Sequence, residues 1–241
     1  MRYAILADIH ANLTAFEAVL CDIEKQGGVA GIWCLGDIVG YGPDPSECIA
    51  LLRGKNHLCV AGNHDWAAIG KLEMSEFNPD AAAACRWTAS QLSPEDVNYL
   101  DSLPITVRRN DFTIVHGSPR EPIWEYILSA SMAYANLGHF DTAYCLVGHS
   151  HLPVVFEDAG DTAVVRGIPT TLKLGIARLI INPGSVGQPR DGDPRASYAI
   201  YNHDERTICH RRVPYNIEET QERMVQKDLP GFLVERLSYG R

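Results

Sequence analysis

The sequence has few positive charges and no basic tract. Lysine and arginine number 21 against 30 aspartate and glutamate residues, which gives a net charge of −9 and a pI near 5.4. Such a chain offers no extended positive field to hold a nucleic-acid backbone, so we expect no long nucleic acid as a partner. If the substrate is a phosphate anion, the positive charge that binds it must come from another source.

Long apolar runs and a basic leader are also missing. The chain starts with a short apolar run that ends at Asp8, whereas a secretory signal needs a basic flank and a longer apolar core. The stretch from Leu172 to Ile181 contains Lys173 and Arg178, and it falls short of the roughly 20 apolar residues that cross a bilayer. We therefore predict a soluble, cytoplasmic protein with no membrane partner.

Closely spaced cysteine pairs are absent. The seven cysteines are an odd number and none lies in a CxxC pair, in a chain long enough to bury a core without covalent cross-links. We predict free thiols in a reducing compartment. With 46% hydrophobic and 21% charged residues, the composition matches a globular protein and excludes disorder, collagen and coiled coil.

Short apolar runs alternate with helical patterns in the first third of the chain and predict a β-α-β-α-β order. In the first helix, apolar residues recur every three and four positions, and a Gly-Gly pair ends it. Polar residues at Asp8, Asp37 and Asn63 are separated by 29 and 26 residues, close to the roughly 30 residues of one βαβ unit. They should lie at equivalent places, just past successive strand ends.

The rest of the chain is richer in strands. We predict a helix over 78–92, a hairpin over 105–115, a helix over 129–137, strands over 145–147, 154–156, 163–165, 172–181, 198–201 and 207–213, and a solvated helix over 217–227. No linker separates the two parts. The prediction is one domain over 1–241 with two packed sheets and a C-terminal helix or tail from about residue 216.

Five short polar clusters follow strand-like runs. They are Asp8-Ile9-His10, Gly36-Asp37, Gly62-Asn63-His64-Asp65, His116-Gly117 and Gly148-His149-Ser150-His151. Each alone is compatible with ordinary turn chemistry. Open α/β sheets bind ligands at the carboxyl ends of their strands, and the clusters together supply donors for two metal ions. In an extended segment, alternate residues share a face, so the two imidazoles of the last cluster should point the same way.

In this order the clusters closely resemble the signature of calcineurin-like metallophosphoesterases. The later Asn182-Pro183-Gly184-Ser185-Val186-Gly187 resembles the small bacterial and archaeal phosphodiesterase-like branch. The resemblance implies an α/β fold, a four-layer α-β-β-α sandwich of two mixed sheets with a dinuclear site at one edge. It also implies one metal on Asp8, His10 and His151, a second on Asn63, His116 and His149, and a bridge between them at Asp37.

The chemistry of these donors agrees with the resemblance. Mixed oxygen and nitrogen ligands suit Mn²⁺, iron or Zn²⁺, whereas an all-oxygen cage would suggest Ca²⁺ or Mg²⁺. We expect two divalent ions, Mn²⁺ in the first place, with iron, Zn²⁺ or Ni²⁺ as alternatives. Two such ions would also supply the positive charge that the composition lacks.

The expected mechanism is attack on the phosphorus by a hydroxide that bridges the two metals. His64, the cluster histidine without a metal assignment, is expected to protonate or hydrogen-bond the leaving oxygen. Asp65 either orients its neighbours or belongs to the first turn of a helix. Asn12 is expected to cap the first helix.

The substrate prediction comes from a departure within the superfamily. Protein Ser/Thr phosphatases carry Gly-Asp-x-Val-Asp-Arg-Gly, whereas this chain reads Gly36-Asp37-Ile38-Val39-Gly40-Tyr41-Gly42. The acid that usually partners the catalytic histidine and the arginine that clamps phosphate are both missing. We therefore predict a small phosphodiester substrate. The alternatives are a phosphomonoesterase, a short-oligonucleotide nuclease and a non-catalytic scaffold of the same fold. A scaffold would be expected to have lost His64 or some of the metal ligands, whereas this chain retains all of them.

Two further segments have alternative interpretations. The segment 182–195 is either a long hairpin connection or a loop that covers the metals and offers Arg190 and Arg195 to phosphate. Trp124 and Tyr126 could form a pocket wall, but we expect them to be buried core aromatics.

Overall fold

The computed structural model describes residues 1–241 and contains twelve strands and eight α-helices. The strands are β1 (Arg2–Leu6), β2 (Gly31–Cys34), β3 (His57–Cys59), β4 (Thr106–Arg109), β5 (Phe112–Val115), β6 (Tyr144–Leu146), β7 (Val154–Asp158), β8 (Ala163–Gly167), β9 (Thr171–Lys173), β10 (Leu179–Asn182), β11 (Ala196–Asn202) and β12 (Thr207–Val213). The helices are α1 (Leu13–Lys25), α2 (Pro45–Arg53), α3 (Asn63–Ala68), α4 (Pro79–Gln91), α5 (Pro94–Asp101), α6 (Ala130–Leu137), α7 (Ile217–Gln226) and α8 (Gly231–Arg236). Short 3-10 helices occur at Met74–Glu76 and Leu237–Tyr239.

The strands form two six-stranded mixed sheets. The first has the order β3-β2-β1-β11-β12-β9 and the second β4-β5-β6-β10-β7-β8. In the first, β1, β2 and β3 run parallel and β11 adds to β1 in antiparallel fashion, with Ala4 opposite Ile200. In the second, β5, β6 and β10 run parallel. Each sheet therefore has a group of three parallel strands, and the carboxyl ends of these strands lie at the same edge of the sheet.

The two sheets pack face to face over a shared apolar core. Trp33 of the first sheet contacts Phe112 of the second, with ring centroids 5.4 Å apart, inside a cluster of 16 buried residues. A second cluster packs α1 and α2 against the outer face of the first sheet, and a third packs α6 against the second. The predicted layered α/β fold is confirmed.

The first helix illustrates how the sequence positions the site. Asn12 caps α1, as predicted, because its Oδ1 accepts the backbone N–H of Ala15 at 3.1 Å. The apolar stripe then buries Phe16 and Val19 against the sheet. This fixes the loop between β1 and α1, which carries two of the candidate metal ligands.

The single strand predicted over 172–181 is wrong, because the structure divides it between the two sheets. β9 pairs with β12 in the first sheet, and β10 pairs with β6 and β7 in the second. The chain turns between them at residues 174–178, where an apolar run alone gives no signal for a change of sheet. The extent of the single domain stays a prediction.

The C-terminal region contains more structure than the sequence indicated. After α7, the chain forms α8 and a 3-10 helix, and Leu233 and Leu237 pack in a cluster with Tyr41. All seven cysteines are free, as predicted. None of the helices combines the length and the apolar character needed to span a bilayer.

Candidate metal centre

The polar clusters meet at the carboxyl ends of the parallel strands. Each follows a strand of one parallel core, and every side chain of the set is buried, with at most 3% of its surface exposed. The set comprises Asp8, His10, Asp37, Asn63, His64, His116, His149 and His151. Residues up to 143 positions apart in sequence are thereby brought into one site.

Each of the four histidines predicted as ligands donates one ring N–H to a backbone carbonyl. The contacts are His10 Nδ1 to Val39 at 3.1 Å, His116 Nδ1 to Leu35 at 2.8 Å, His151 Nδ1 to Gln188 at 2.5 Å, and His149 Nε2 to Trp124 at 3.0 Å. A carbonyl oxygen can only accept, so these nitrogens carry hydrogen. In a neutral imidazole the other nitrogen then presents a lone pair, as a metal ligand must.

Two of these lone pairs face each other. Nε2 of His10 and Nε2 of His151 lie 3.1 Å apart. Burial lowers the pKa of both imidazoles well below the ordinary value, so neither ring supplies a second proton. Two bare nitrogens at this distance repel unless a cation lies beside both of them. The donor arrangement therefore fits a bound metal ion.

The carboxylates complete two neighbouring groups of donors. Oδ1 of Asp8 lies 3.6 Å from Nε2 of His151. Oδ2 of Asp37 lies 3.6 Å from Nε2 of His10 and 3.3 Å from Nε2 of His116. The Oδ2 atoms of both aspartates are buried without a hydrogen-bond partner. Such orphaned acceptors are expected where a cation binds.

The donors fall into sets small enough to surround single ions. Three sets of residues each bring one donor atom per residue within 4.8 Å of the other donor atoms of the same set. These sets are Asp8/His10/His151, Asp37/His116/His149 and His10/Asp37/His64. Asn63 belongs with the second set, because its Oδ1 lies 3.0 Å from Nε2 of His116. The same Nε2 atom lies 3.1 Å from Nδ1 of His149. Two carboxylates, one amide and four imidazoles therefore fit two divalent cations, with Asp37 between them.

Electrostatics also favour cations here. Burial raises the pKa of Asp8 to about 7. Burial by itself would lower the pKa of His116. The carboxylates of Asp37 and Asp8 have a larger effect in the opposite direction, and the pKa of His116 is raised to about 9. Metal binding would therefore displace protons from this site.

The backbone of the site is held in a sparsely populated conformation. Positive φ angles occur at Asp8 (55°), His10 (49°), Asp37 (53°), His149 (64°) and His151 (60°). A left-handed conformation costs a non-glycine residue about 1–2 kcal/mol. Strain of this kind concentrates at functional sites and is maintained by the surrounding contacts.

This conformation contradicts the prediction that His149 and His151 point the same way. Because both residues are left-handed, the segment 148–151 is not extended. His149 joins the set of Asp37, and His151 joins the set of Asp8. The cluster supplies one imidazole to each donor set.

Asp65 holds the loop that carries Asp37. Its buried carboxylate accepts the backbone N–H groups of Asp37, Ile38, Val39 and Gly62 at 2.9–3.2 Å. It therefore orients its neighbours and also lies in the first turn of α3, so both predicted alternatives hold. A Cβ atom at Gly62 would overlap Oδ1 and the backbone nitrogen of Asp37, which explains the need for glycine there.

Comparison with known proteins agrees with this geometry. Residues 1–206 match the family model of the calcineurin-like phosphoesterase superfamily domain. The chain belongs to this superfamily. It is therefore a phosphoric ester hydrolase of a metal-dependent family, as the sequence predicted.

Several relatives resemble this phosphoesterase over different lengths. It is 41% identical to an uncharacterized protein of Methanocaldococcus jannaschii over 247 aligned positions, covering 99% of this chain and 98% of the relative. A crystal structure of a metallophosphoesterase from Sphaerobacter thermophilus has 49% identity and a TM-score of 0.91, covering 100% and 99% of the two chains. A symmetrical bis(5'-nucleosyl)-tetraphosphatase of Pseudomonas putida is 28% identical over 103 residues, 37% of this chain and 35% of the relative.

The histidine without a metal assignment has a thiol as its side-chain partner. Nδ1 of His64 lies 3.1 Å from Sγ of Cys85 in α4. Burial raises the pKa of the Cys85 thiol and lowers that of His64 to about 4, so both groups are neutral at pH 7. Sequence reasoning missed Cys85, because its Ala-rich helix gives no sign of a partner 21 residues away.

Aromatic side chains form one wall of the site, contrary to the expectation of buried core residues. The ring of Tyr126 stacks on His149 with centroids 3.8 Å apart and keeps 37% of its surface exposed. Trp124 is half-buried and its carbonyl fixes the same imidazole. The Tyr41 ring lies 4.3 Å from His64. These residues lie on loops beside the site, and the ring of Trp124 also packs on that of Phe77 with centroids 5.0 Å apart.

The segment 182–195 is not a hairpin connection, because it joins β10 of one sheet to β11 of the other. Nδ2 of Asn182 donates to the carbonyl of Gly148 at 2.6 Å, and the N–H of Gly187 donates to the carbonyl of Asp8 at 2.9 Å. The segment thus supports the two loops that carry Asp8 and His149. Its Arg190 reaches the site, whereas the exposed Arg195 pairs with Asp193.

Proposed function

We propose that this phosphoesterase hydrolyses small phosphodiesters with the help of two divalent cations, Mn²⁺ in the first place. The observation that carries the proposal is the 3.1 Å approach of two unprotonated imidazole nitrogens, on His10 and His151, beside orphaned carboxylate oxygens. One ion is held by Asp8, His10 and His151, the other by Asn63, His116 and His149, and Asp37 contributes to both. When bound, the ions supply positive charge for the phosphoryl oxygens and lower the pKa of a water molecule.

The side chains of the protein have separate roles in this proposal. Oδ1 of Asp37 accepts the backbone N–H of His64 at 2.9 Å, which fixes this histidine beside the carboxylate proposed to contribute to both ions. If the Cys85 thiol donates to Nδ1 of His64, the remaining hydrogen is on Nε2. Nε2 can then donate to the leaving oxygen of the ester. A thiol, unlike a carboxylate, does not raise the pKa of the imidazole, so His64 acts as a neutral donor.

Hydrolysis of dinucleoside tetraphosphates is a second candidate. The matched segment of the Pseudomonas putida enzyme supports it, although this similarity covers 37% of the chain. Both proposed reactions would use the same two metal positions and the same His64.

The proposal is tested with purified protein whose metal content is measured by elemental analysis. With Mn²⁺ present, we compare kcat/KM for bis(4-nitrophenyl) phosphate with that for 4-nitrophenyl phosphate. The diester should be preferred. Preference for the monoester would instead support a phosphomonoesterase, and no hydrolysis of either by protein carrying two ions would support a scaffold.

A further inference from the structure

The ring of Tyr41 packs against two imidazoles of the metal centre. Its centroid lies 4.3 Å from that of His64 and 4.6 Å from that of His10, and the two imidazoles lie 4.9 Å apart. Phe77 adds a further contact to His64, with centroids 5.0 Å apart. The side chain of His64 has one hydrogen-bond partner, the weakly bonding thiol of Cys85. One bond at a ring nitrogen still lets the imidazole turn about it, so the ring contacts fix its plane.

The loop that carries Tyr41 lies directly on the same two histidines. A Cβ atom at Gly40 would lie 2.5 Å from Nδ1 of His64, and one at Gly42 would overlap the carbonyl oxygen of His10. Tyr41 itself has a φ of 61°, a left-handed conformation that is unfavourable for a non-glycine residue. A backbone in such a conformation depends on the contacts around it. The position of Tyr41 is therefore maintained by the side chains that pack around its ring.

Most of those side chains come from the C-terminal unit, residues 217–240, which contains α7, α8 and the last 3-10 helix. The buried cluster that includes Tyr41 takes five members from this unit, namely Met224, Leu229, Leu233, Val234 and Leu237. Two of them, Met224 and Leu237, line a cavity of about 10 Å³ together with Tyr41 and His10. A cavity of this size holds at most one water molecule. The unit therefore packs closely against the Tyr41 side of the metal centre.

The C-terminal unit is also anchored to the loops beside the metal centre. Oγ1 of Thr220 donates to Oδ1 of Asn12 in the loop between β1 and α1, at 3.1 Å. Arg223 forms an ion pair with the buried Asp44, three residues after Tyr41. The matched superfamily domain ends at residue 206, so the unit lies outside it. These contacts hold the unit in a fixed position against the loop of Tyr41.

We propose that the C-terminal unit contributes to catalysis by holding Tyr41 against His64. Tyr41 is a positioning residue, because it acts by keeping Nε2 of His64 directed at the leaving oxygen. The proposal rests on the proposed function, in which His64 is the proton donor. Misplacing a reacting group by about 1 Å can lower a rate about 100-fold. Loss of buried contacts in the unit should therefore slow the reaction, although the unit supplies no donor to the metal sets.

The first test compares two esters that differ in their leaving group, methyl phenyl phosphate and methyl 4-nitrophenyl phosphate, with Mn²⁺-loaded protein. Phenol is the poorer leaving group, so its release depends more on the proton from His64. Met224→Ala should lower kcat for the phenyl ester about tenfold and kcat for the nitrophenyl ester less than about threefold. Equal losses on both esters would mean a purely structural role and would overturn the proposal.

The matched control is Val225→Ala, at the next position of α7. The Val225 side chain is 61% exposed and lies outside the cluster that includes Tyr41. Its replacement should change kcat less than about twofold for either ester, because it removes no contact from that cluster. A selective loss in Val225→Ala as large as that in Met224→Ala would contradict the packing argument.

Tyr41 provides a second pair of variants that leaves the C-terminal unit intact. Tyr41→Leu removes the ring and should show the same selective loss, at least about tenfold for the phenyl ester. Tyr41→Phe keeps the ring and loses only the hydroxyl, which accepts from Arg190 at 3.3 Å. It should therefore recover at least about threefold of that loss. If the two variants behave alike, the ring does not position His64.

A spectroscopic test does not depend on turnover. In Zn²⁺-loaded protein, the NMR signal of the His64 Cε1–H group is assigned by its absence from the spectrum of His64→Ala. The Tyr41 ring, 4.3 Å from that of His64, contributes a ring current to this signal. Met224→Ala should therefore shift the signal, and Val225→Ala should leave it in place. An unshifted signal in Met224→Ala would show that the unit does not position the imidazole.

The readouts separate this proposal from the proposed function. If His64→Ala loses equally on both esters, or if the wild type hydrolyses neither, the proposed function fails, whereas the NMR signal still decides whether the unit positions His64. Met224→Ala removes a buried side chain and should lower the thermal unfolding midpoint. Far-UV circular dichroism at the assay temperature checks that it is folded. If it is not, the comparison of Tyr41→Leu with Tyr41→Phe decides.

Discussion

Replacement of Asp37 by asparagine should empty both metal positions together. Its Oδ2 lies within 3.6 Å of Nε2 of His10 and 3.3 Å of Nε2 of His116, which belong to different donor sets. The amide keeps the size of the side chain and an oxygen for the His64 N–H, but it removes the charge between the two ions. The matched control is Asp8→Asn, because Asp8 belongs to only one donor set.

The expected loss can be estimated from charge and distance. At an effective dielectric constant near 20, a carboxylate about 4 Å from a divalent ion is attracted by about 8 kcal/mol, most of which is offset by hydration of the free ion. If about 2 kcal/mol remains, each position loses about 30-fold in affinity. At micromolar metal, Asp37→Asn should then lose both ions and Asp8→Asn only one.

The assay is elemental analysis after gel filtration, followed by calorimetric titration with Mn²⁺. Far-UV circular dichroism and a thermal unfolding curve check that each variant is folded. Two ions per chain in Asp37→Asn, or loss of only one, would refute the shared carboxylate. Loss of both ions in Asp8→Asn would show that the two positions depend on each other through more than Asp37.

Three further predictions concern the residues around this carboxylate. His64→Ala should keep its metal content but lower kcat about 100-fold for esters with poor leaving groups and much less for nitrophenyl esters; an equal loss for both would remove His64 as the proton donor. Cys85→Ala should cost about 1–3 kcal/mol in the free energy of unfolding by urea and lower kcat about tenfold, whereas Cys85→Ser should stay within about threefold of the wild type in kcat. If serine and alanine behave alike, the thiol does not position the histidine. Gly62→Ala should destabilise the protein by about 1–3 kcal/mol and weaken metal binding because of the overlap with Asp37. Gly138→Ala, where a Cβ meets no atom within 4 Å, is its control, and equal stability of the two variants would contradict the steric argument.

Much of the candidate site could be predicted from the sequence because it depends on local patterns. Alternating apolar runs and helices specify parallel strands, and the carboxyl ends of such strands share an edge. Asp8, Asp37 and Asn63, each placed just after one of three successive parallel strands, therefore had to approach each other. The types of donor, mixed carboxylate, amide and imidazole, indicated a metal centre without knowledge of their distances.

Other features depended on contacts that no local pattern describes. The directions of His149 and His151 are set by left-handed backbone angles, so alternation along the chain predicted them wrongly. The partner of His64 is a cysteine on another helix, and Leu237 packs in one cluster with Tyr41 from the C-terminal region. Each contact joins segments that are distant along the chain.

The sequence by itself thus determined the fold class, the family and the chemistry of the candidate ligands, because hydrophobic periodicity and residue type act locally. Only the tertiary structure decided which nitrogen of each imidazole faces the centre. That choice is made by single carbonyl groups, such as those of Val39 and Gln188, which fix His10 and His151 3.1 Å apart. Backbone positions of this kind arise from the packing of both sheets and are not encoded near the residues that they orient.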